Sequence, residues 1–106
     1  MKLAIILSTK HAETNWNALR LANLALNKDD TVSVFLIGEG VEYGKNSSDQ
    51  FDIGKQVGKF LESGGEIVAC GTCMAIRKQR SSKECPEGGM EDLYSLIVNS
   101  DKVITF

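Results

Sequence analysis

Cys70-Gly71-Thr72-Cys73 sets two thiols three residues apart, where an apolar run, Ile67-Val68-Ala69, gives way to a segment of helical character. A strand ending there carries Cys70 to the rim of a sheet. The first turn of a following helix offers free backbone N–H groups and a positive dipole end, both of which favour thiolate over thiol. In such a pair one sulfur attacks and holds an adduct, and its neighbour resolves the adduct by exchange. The bland alternative is that Cys70 is a small core side chain, since free cysteine is among the most buried residue types. For a lone cysteine that alternative prevails. The second thiol at the helix start, with Gly71 permitting close backbone approach, tips the balance toward redox or persulfide chemistry.

Four other features accompany the pair. Cys85 precedes the sole proline, Pro86, and reads as a loop thiol. Together with Cys70, Cys73 and His11 it would make a Cys3His zinc set, but structural zinc sites use two close ligand pairs, and His11 stands alone in a distant loop. His11, the one histidine, is either an exposed loop residue or a base and charge partner for the thiols. Arg77, Lys78, Arg80 and Lys83 form a basic stretch after the pair, either a solvated face or a positive surround that stabilises thiolate and guides an acidic partner. Ser8-Thr9 and Thr14-Asn15 bracket a loop without glycine, a poor phosphate cradle.

The elements that must position these groups follow from the apolar pattern. Four runs, Leu3 to Leu7, Val32 to Ile37, Ile67 to Cys70 and Val103 to Phe106, lack strict alternation and read as strands buried on both faces. Between them lie helical periods: Thr14 to Asn27 with Thr14 as N-cap; a stretch with Ile53, Val57, Phe60 and Leu61 on one face, stopped at Gly64-Gly65; and a last helix with Met90, Leu93, Tyr94 and Ile97 inward. Met74 to Arg80 reads as a short helix, with a fifth strand expected between Ser81 and Cys85. Gly38-Glu39-Gly40-Val41 and Lys45 to Gln50 read as loops. Strand and helix in alternation imply right-handed crossovers and a three-layer α/β fold, with a mostly parallel sheet of four to five strands, flavodoxin-like in topology. Ligand and catalytic groups then gather at the carboxyl ends of the strands, which selects Ser8 to Asn15, Gly38 to Tyr43 and Cys70 to Cys73.

With 106 residues and 42% hydrophobic content, the chain reads as one domain, residues 1–106, able to bury its own core. A net charge of −2 provides no field for nucleic acid or an anionic membrane, and no run approaches a membrane span. The opening Met1 to Leu7 is shorter than a signal-peptide core and reads as the first strand of a cytoplasmic protein. Three cysteines, an odd count, favour free or catalytic thiols in a reducing compartment.

Several stretches resemble the DsrE/DsrF-like sulfur-relay family: Asn17 to Ala22 its first helix, Val34 to Val41 its second strand and acidic turn, and Met90 to Tyr94 with Ser100 to Phe106 its closing helix and strand. Ala69-Cys70-Gly71-Thr72-Cys73-Met74 is similar to the family's cysteine loop in the Cys-Gly-Thr-Cys version of a YedF-like branch. Where many members carry Arg-Gly after this helix, the chain has Arg77 followed by Lys78-Gln79-Arg80. The resemblance implies a sulfur carrier in which Cys70 takes sulfur as a persulfide and Cys73 stabilises or resolves it. It implies no organic cofactor, sulfur donor and acceptor proteins as partners, and a homo-oligomer of two to six copies. The alternatives are a thiol-disulfide oxidoreductase cycling Cys70 and Cys73, and a non-catalytic oligomer with a Cys/His zinc site.

Overall fold

The apolar runs form strands, and the computed structural model, which describes residues 1–106, pairs them all in parallel; the run at Val103 to Phe106, expected to be buried on both faces, is instead an edge strand with Val103 exposed. The elements in order are β1 (Lys2–Leu7), α1 (Ala12–Asn27), β2 (Thr31–Leu36), a 3₁₀ helix (Gly38–Glu42), α2 (Ile53–Glu62), β3 (Glu66–Cys70), α3 (Gly71–Ile76), β4 (Glu87–Gly88), α4 (Met90–Asn99) and β5 (Lys102–Thr105). The sheet order is β4-β3-β2-β1-β5. This is the parallel α/β class expected, with β1 lying between β2 and β5 where a flavodoxin order, 2-1-3-4-5, would set it between β2 and β3. Two crossovers stepping the same way explain it: a right-handed connection then puts both helices on one face, and α1 and α2 do pack side by side. The reversed step to β5 sends α4 to the other face.

The two faces are unequally covered. Under α1 and α2 lie Leu3, Ile5, Leu7, Val32, Val34, Leu36, Ile67 and Ala69, matched across the strands by register and all buried. The other face carries Ile6, Phe35 and Val68 in register, with only Phe35 fully buried. The last helix departs from expectation here. Leu93 and Leu96 lean toward the sheet, whereas Met90, Tyr94 and Ile97 are exposed, Tyr94 at 70% and Val98 beside them at 60%. A helix apolar on two sides can bury only one against its own sheet, and the spacing alone does not say which.

Other boundaries shift for local reasons. α1 starts two residues before Thr14, because His11 caps it: the Thr14 N–H donates to His11 Nδ1 at 3.4 Å. The fifth strand is Glu87–Gly88, not Ser81 to Cys85, and it pairs with Ala69 and Cys70 at the end of β3. The short helix after the thiols starts at Gly71 and is over by Ile76, before Lys78 takes a left-handed φ of 53°. The segment from Gly38 to Glu42 is helical, although it reads as loop. α2 ends as expected at a left-handed Gly64, φ 92°. No helix is long and apolar enough to cross a membrane.

Candidate functional site

The carboxyl ends of β2 and β3 feed the 3₁₀ helix and α3, and these two short elements hold the thiols. Cys70 closes β3, 4% exposed, and serves as N-cap of α3 with no hydrogen bond from its side chain to the cap. Cys73 is half-buried, and its Sγ accepts from the backbone N–H of Gly38 at 3.2 Å. Gly71 lies under the edge strand: a Cβ there would meet Glu87 Oε2 at 2.5 Å, so that carboxylate sits over the cysteine loop.

Side chains brace the two elements together. Arg77 Nε donates to Glu42 Oε1 at 2.9 Å and its Nη1 to the Cys73 carbonyl at 3.2 Å, while Gln79 Nε2 donates to the Val41 carbonyl at 2.8 Å. Lys45 completes the cluster 3.1 Å from Glu42 Oε2. Hydrogen bonding from Lys45, opposed by burial and supported by a smaller effect of the Arg77 hydrogen bond, holds the Glu42 carboxyl below the usual carboxylate range. The brace is therefore intact at neutral pH and is lost only as pH falls through that lowered value. Of the four basic residues singled out in the sequence, Arg77 is thus committed to Glu42 and the Cys73 carbonyl, while Lys78, Arg80 and Lys83 are exposed.

Gly40 fixes the height of the 3₁₀ helix. Its Cα passes so close to the end of β1 that a Cβ would overlap the carbonyl of Leu7. Asn15 fixes the other side of this rim. Fully buried, it donates through Nδ2 to the Thr9 carbonyl at 2.7 Å and the Tyr43 carbonyl at 3.3 Å, tying the loop after β1 to the residue that follows the 3₁₀ helix. The sequence places Asn15, Gly38 and Glu42 in rim segments at the strand ends but gives none of them a role of its own. Only the glycines of Gly38-Glu39-Gly40-Val41 signalled that the backbone does something particular there.

Neither of the remaining sequence candidates, His11 and Cys85, hydrogen-bonds the pair. His11 is exposed, its Nδ1 3.0 Å from Thr14 Oγ1, and is occupied in capping α1. Cys85 is half-buried near Tyr43, whose phenol is pushed up to about 12, chiefly by burial and then by the neighbouring Cys85 and Glu84. Burial also raises the Cys85 thiol, leaving it a poorer nucleophile at neutral pH. No three His, Cys, Asp or Glu side chains come close enough to share a metal ion, so the Cys70, Cys73, Cys85 and His11 zinc set is not assembled. Of the candidates, Arg77 meets Cys73 through its carbonyl, and Cys70 caps the same short helix.

The model of the DsrE/DsrF-like family matches residues 1–106. The chain belongs to this family. An uncharacterized protein of Methanopyrus kandleri, MK0008, is 34% identical over 101 residues, covering 89% of this chain and 83% of its own. Among solved structures, the YchN protein of E. coli superposes with a TM-score of 0.83 at 20% identity over the whole of both chains. BT1422, a conserved protein of unknown function from Bacteroides thetaiotaomicron, gives 0.79 at 21% identity, covering 99% of this chain and 94% of that one. At such identities the two structures speak for the fold alone. Within the DsrE/DsrF-like fold, then, the thiol pair stands where β3 meets α3, on the rim from which parallel sheets present their ligands.

Proposed function

We propose that this DsrE/DsrF-like protein handles sulfur, its Cys70–Cys73 pair taking up sulfane sulfur as a persulfide and passing it to a partner protein. The carrying observation is the Gly38 N–H aimed at Cys73 Sγ, three residues from a second free thiol. A hydrogen-bond donor at that sulfur orients it and stabilises the charge that develops on it when an acceptor takes the outer sulfur away. Family membership supports the same reading, and the Cys-Gly-Thr-Cys loop fits the two-cysteine branch. All three cysteines are free, which suits a reducing compartment such as the cytoplasm.

Self-association belongs to this reading. Met90, Tyr94, Ile97 and Val98 project from α4 on the face away from the sheet. A two-sided apolar helix of this kind is what a further copy of the chain would cover.

Native mass spectrometry tests both parts at once. After incubation with glutathione persulfide, each chain should gain about one sulfur atom, lost on treatment with dithiothreitol and absent when the thiols are alkylated beforehand. The same spectrum should show multiples of the chain. Oxidation that removes only two hydrogens, with no sulfur gained, would move the protein to the thiol-disulfide oxidoreductases, and a spectrum of single chains at every concentration would refute the assembly.

A further inference from the structure

The two thiols stand in opposite surroundings. Cys70 is 4% exposed at the end of a buried strand, and Cys73 is half-buried one turn along α3. The donor that meets Cys73 comes from Gly38, whose φ of 58° is left-handed. A Cβ on Gly38 would meet nothing within 4 Å, so the backbone conformation, not crowding, demands glycine there. Arg77, Glu42 and Gln79 then lock the 3₁₀ helix that starts at Gly38 onto α3 and the turn after it, which keeps donor and sulfur in register. No comparable set of contacts surrounds Cys70.

We infer that Cys73, not Cys70, is the thiol that meets the sulfur donor, with the Gly38 N–H as its anion-stabilising group. This deepens the sulfur-carrier reading and rests on it for the identity of the cargo. The Cys73 thiolate attacks the outer sulfur of a donor persulfide, R–S–SH. A bond forms between Cys73 Sγ and that sulfur, the donor's S–S bond breaks, and R–S⁻ leaves with the electron pair. Unloading reverses the roles: an acceptor thiolate takes the outer sulfur, and Cys73 departs as thiolate, again held by Gly38. The cycle is redox-neutral. Cys70, sheltered behind it, takes no part in contact with the donor.

Limiting iodoacetamide on the reduced native protein, followed by peptide mapping, reads the order of the thiols without any sulfur chemistry. Cys73 should receive at least about ten times the label of Cys70; equal labelling, or an excess on Cys70, overturns the assignment. Gly38→Val should slow labelling of Cys73 several-fold, whereas Gly38→Asn, a residue that tolerates left-handed backbone, should leave it near wild type. With glutathione persulfide as donor, Cys70→Ala should still load and Cys73→Ser should not; the reverse pattern would overturn the proposal. If no form of the protein loads sulfur, the carrier reading fails, while the labelling ratio still decides which thiol faces the solvent.

Discussion

Gly40→Ala will destabilise the protein by about 3 kcal/mol or more, because the new Cβ falls on a backbone carbonyl and no side chain can turn aside to admit it. The carbonyl belongs to Leu7, the last residue of β1, and it already accepts the N–H of Ile37 at 3.0 Å. Relief requires the whole 3₁₀ helix to lift from the sheet, taking with it Gly38 and Glu42, the two residues that address Cys73 and Arg77. The melting temperature should drop by more than about 10 °C, and amide exchange over residues 38–42 should accelerate beyond that of the β1 core. Labelling of Cys73 should slow as its donor moves away. A variant that melts within a degree or two of wild type would show that this segment does not lie against β1.

Phe60→Ala provides the contrasting case. Phe60 is fully buried on α2, and its ring packs over Gly65, where a Cβ would strike it. Truncation leaves a cavity against a well-packed sheet and should cost about 3–5 kcal/mol, read as a lowered urea midpoint at unchanged slope. Gly65 enters β3 at its amino end, the opposite end of a five-residue strand from Cys70, roughly 16 Å away. Folded Phe60→Ala protein should therefore label Cys73 and Cys70 in the wild-type ratio. A changed ratio in protein still folded would mean that the core and the thiol rim are coupled, against the local account given for Gly38. The two variants together separate loss of fold from loss of site.

What the sequence disclosed of this architecture depended on how each feature is built. The central strands were legible because strands buried on both faces must be continuously apolar, and β1, β2, β3 and β5 depart from their expected limits by no more than a residue or so, although β5, at the sheet edge, is largely exposed. Gly64 stopped α2 where a left-handed residue was required. β4 was misplaced because two residues carry no periodicity; its position follows from pairing with Ala69 and Cys70, which is a tertiary matter. Thr14 looked the better cap, and His11 took the role because its ring nitrogen reaches the third residue of the helix. On α4, apolar residues at several helical spacings left the inward face undetermined.

The site divided in the same way. Cys70 and Cys73 announced themselves by type and spacing. Their environments did not: the Gly38 donor lies 35 residues from Cys73, and Glu42 lies 35 residues from Arg77. Such partners are joined by the step from β2 to β3 in the parallel sheet, and no local pattern encodes them. His11, near the pair in expectation because it follows β1, is held on its own helix instead.

A sulfur carrier must both take up sulfur at this thiol pair and release it again. Protein loaded from a radiolabelled persulfide, freed of donor by desalting and mixed with a small acceptor thiol, should begin with about one label per chain and lose it to the acceptor, where the label appears as a new persulfide. Label that never enters, or that enters and stays on the protein through the chase, would contradict the account.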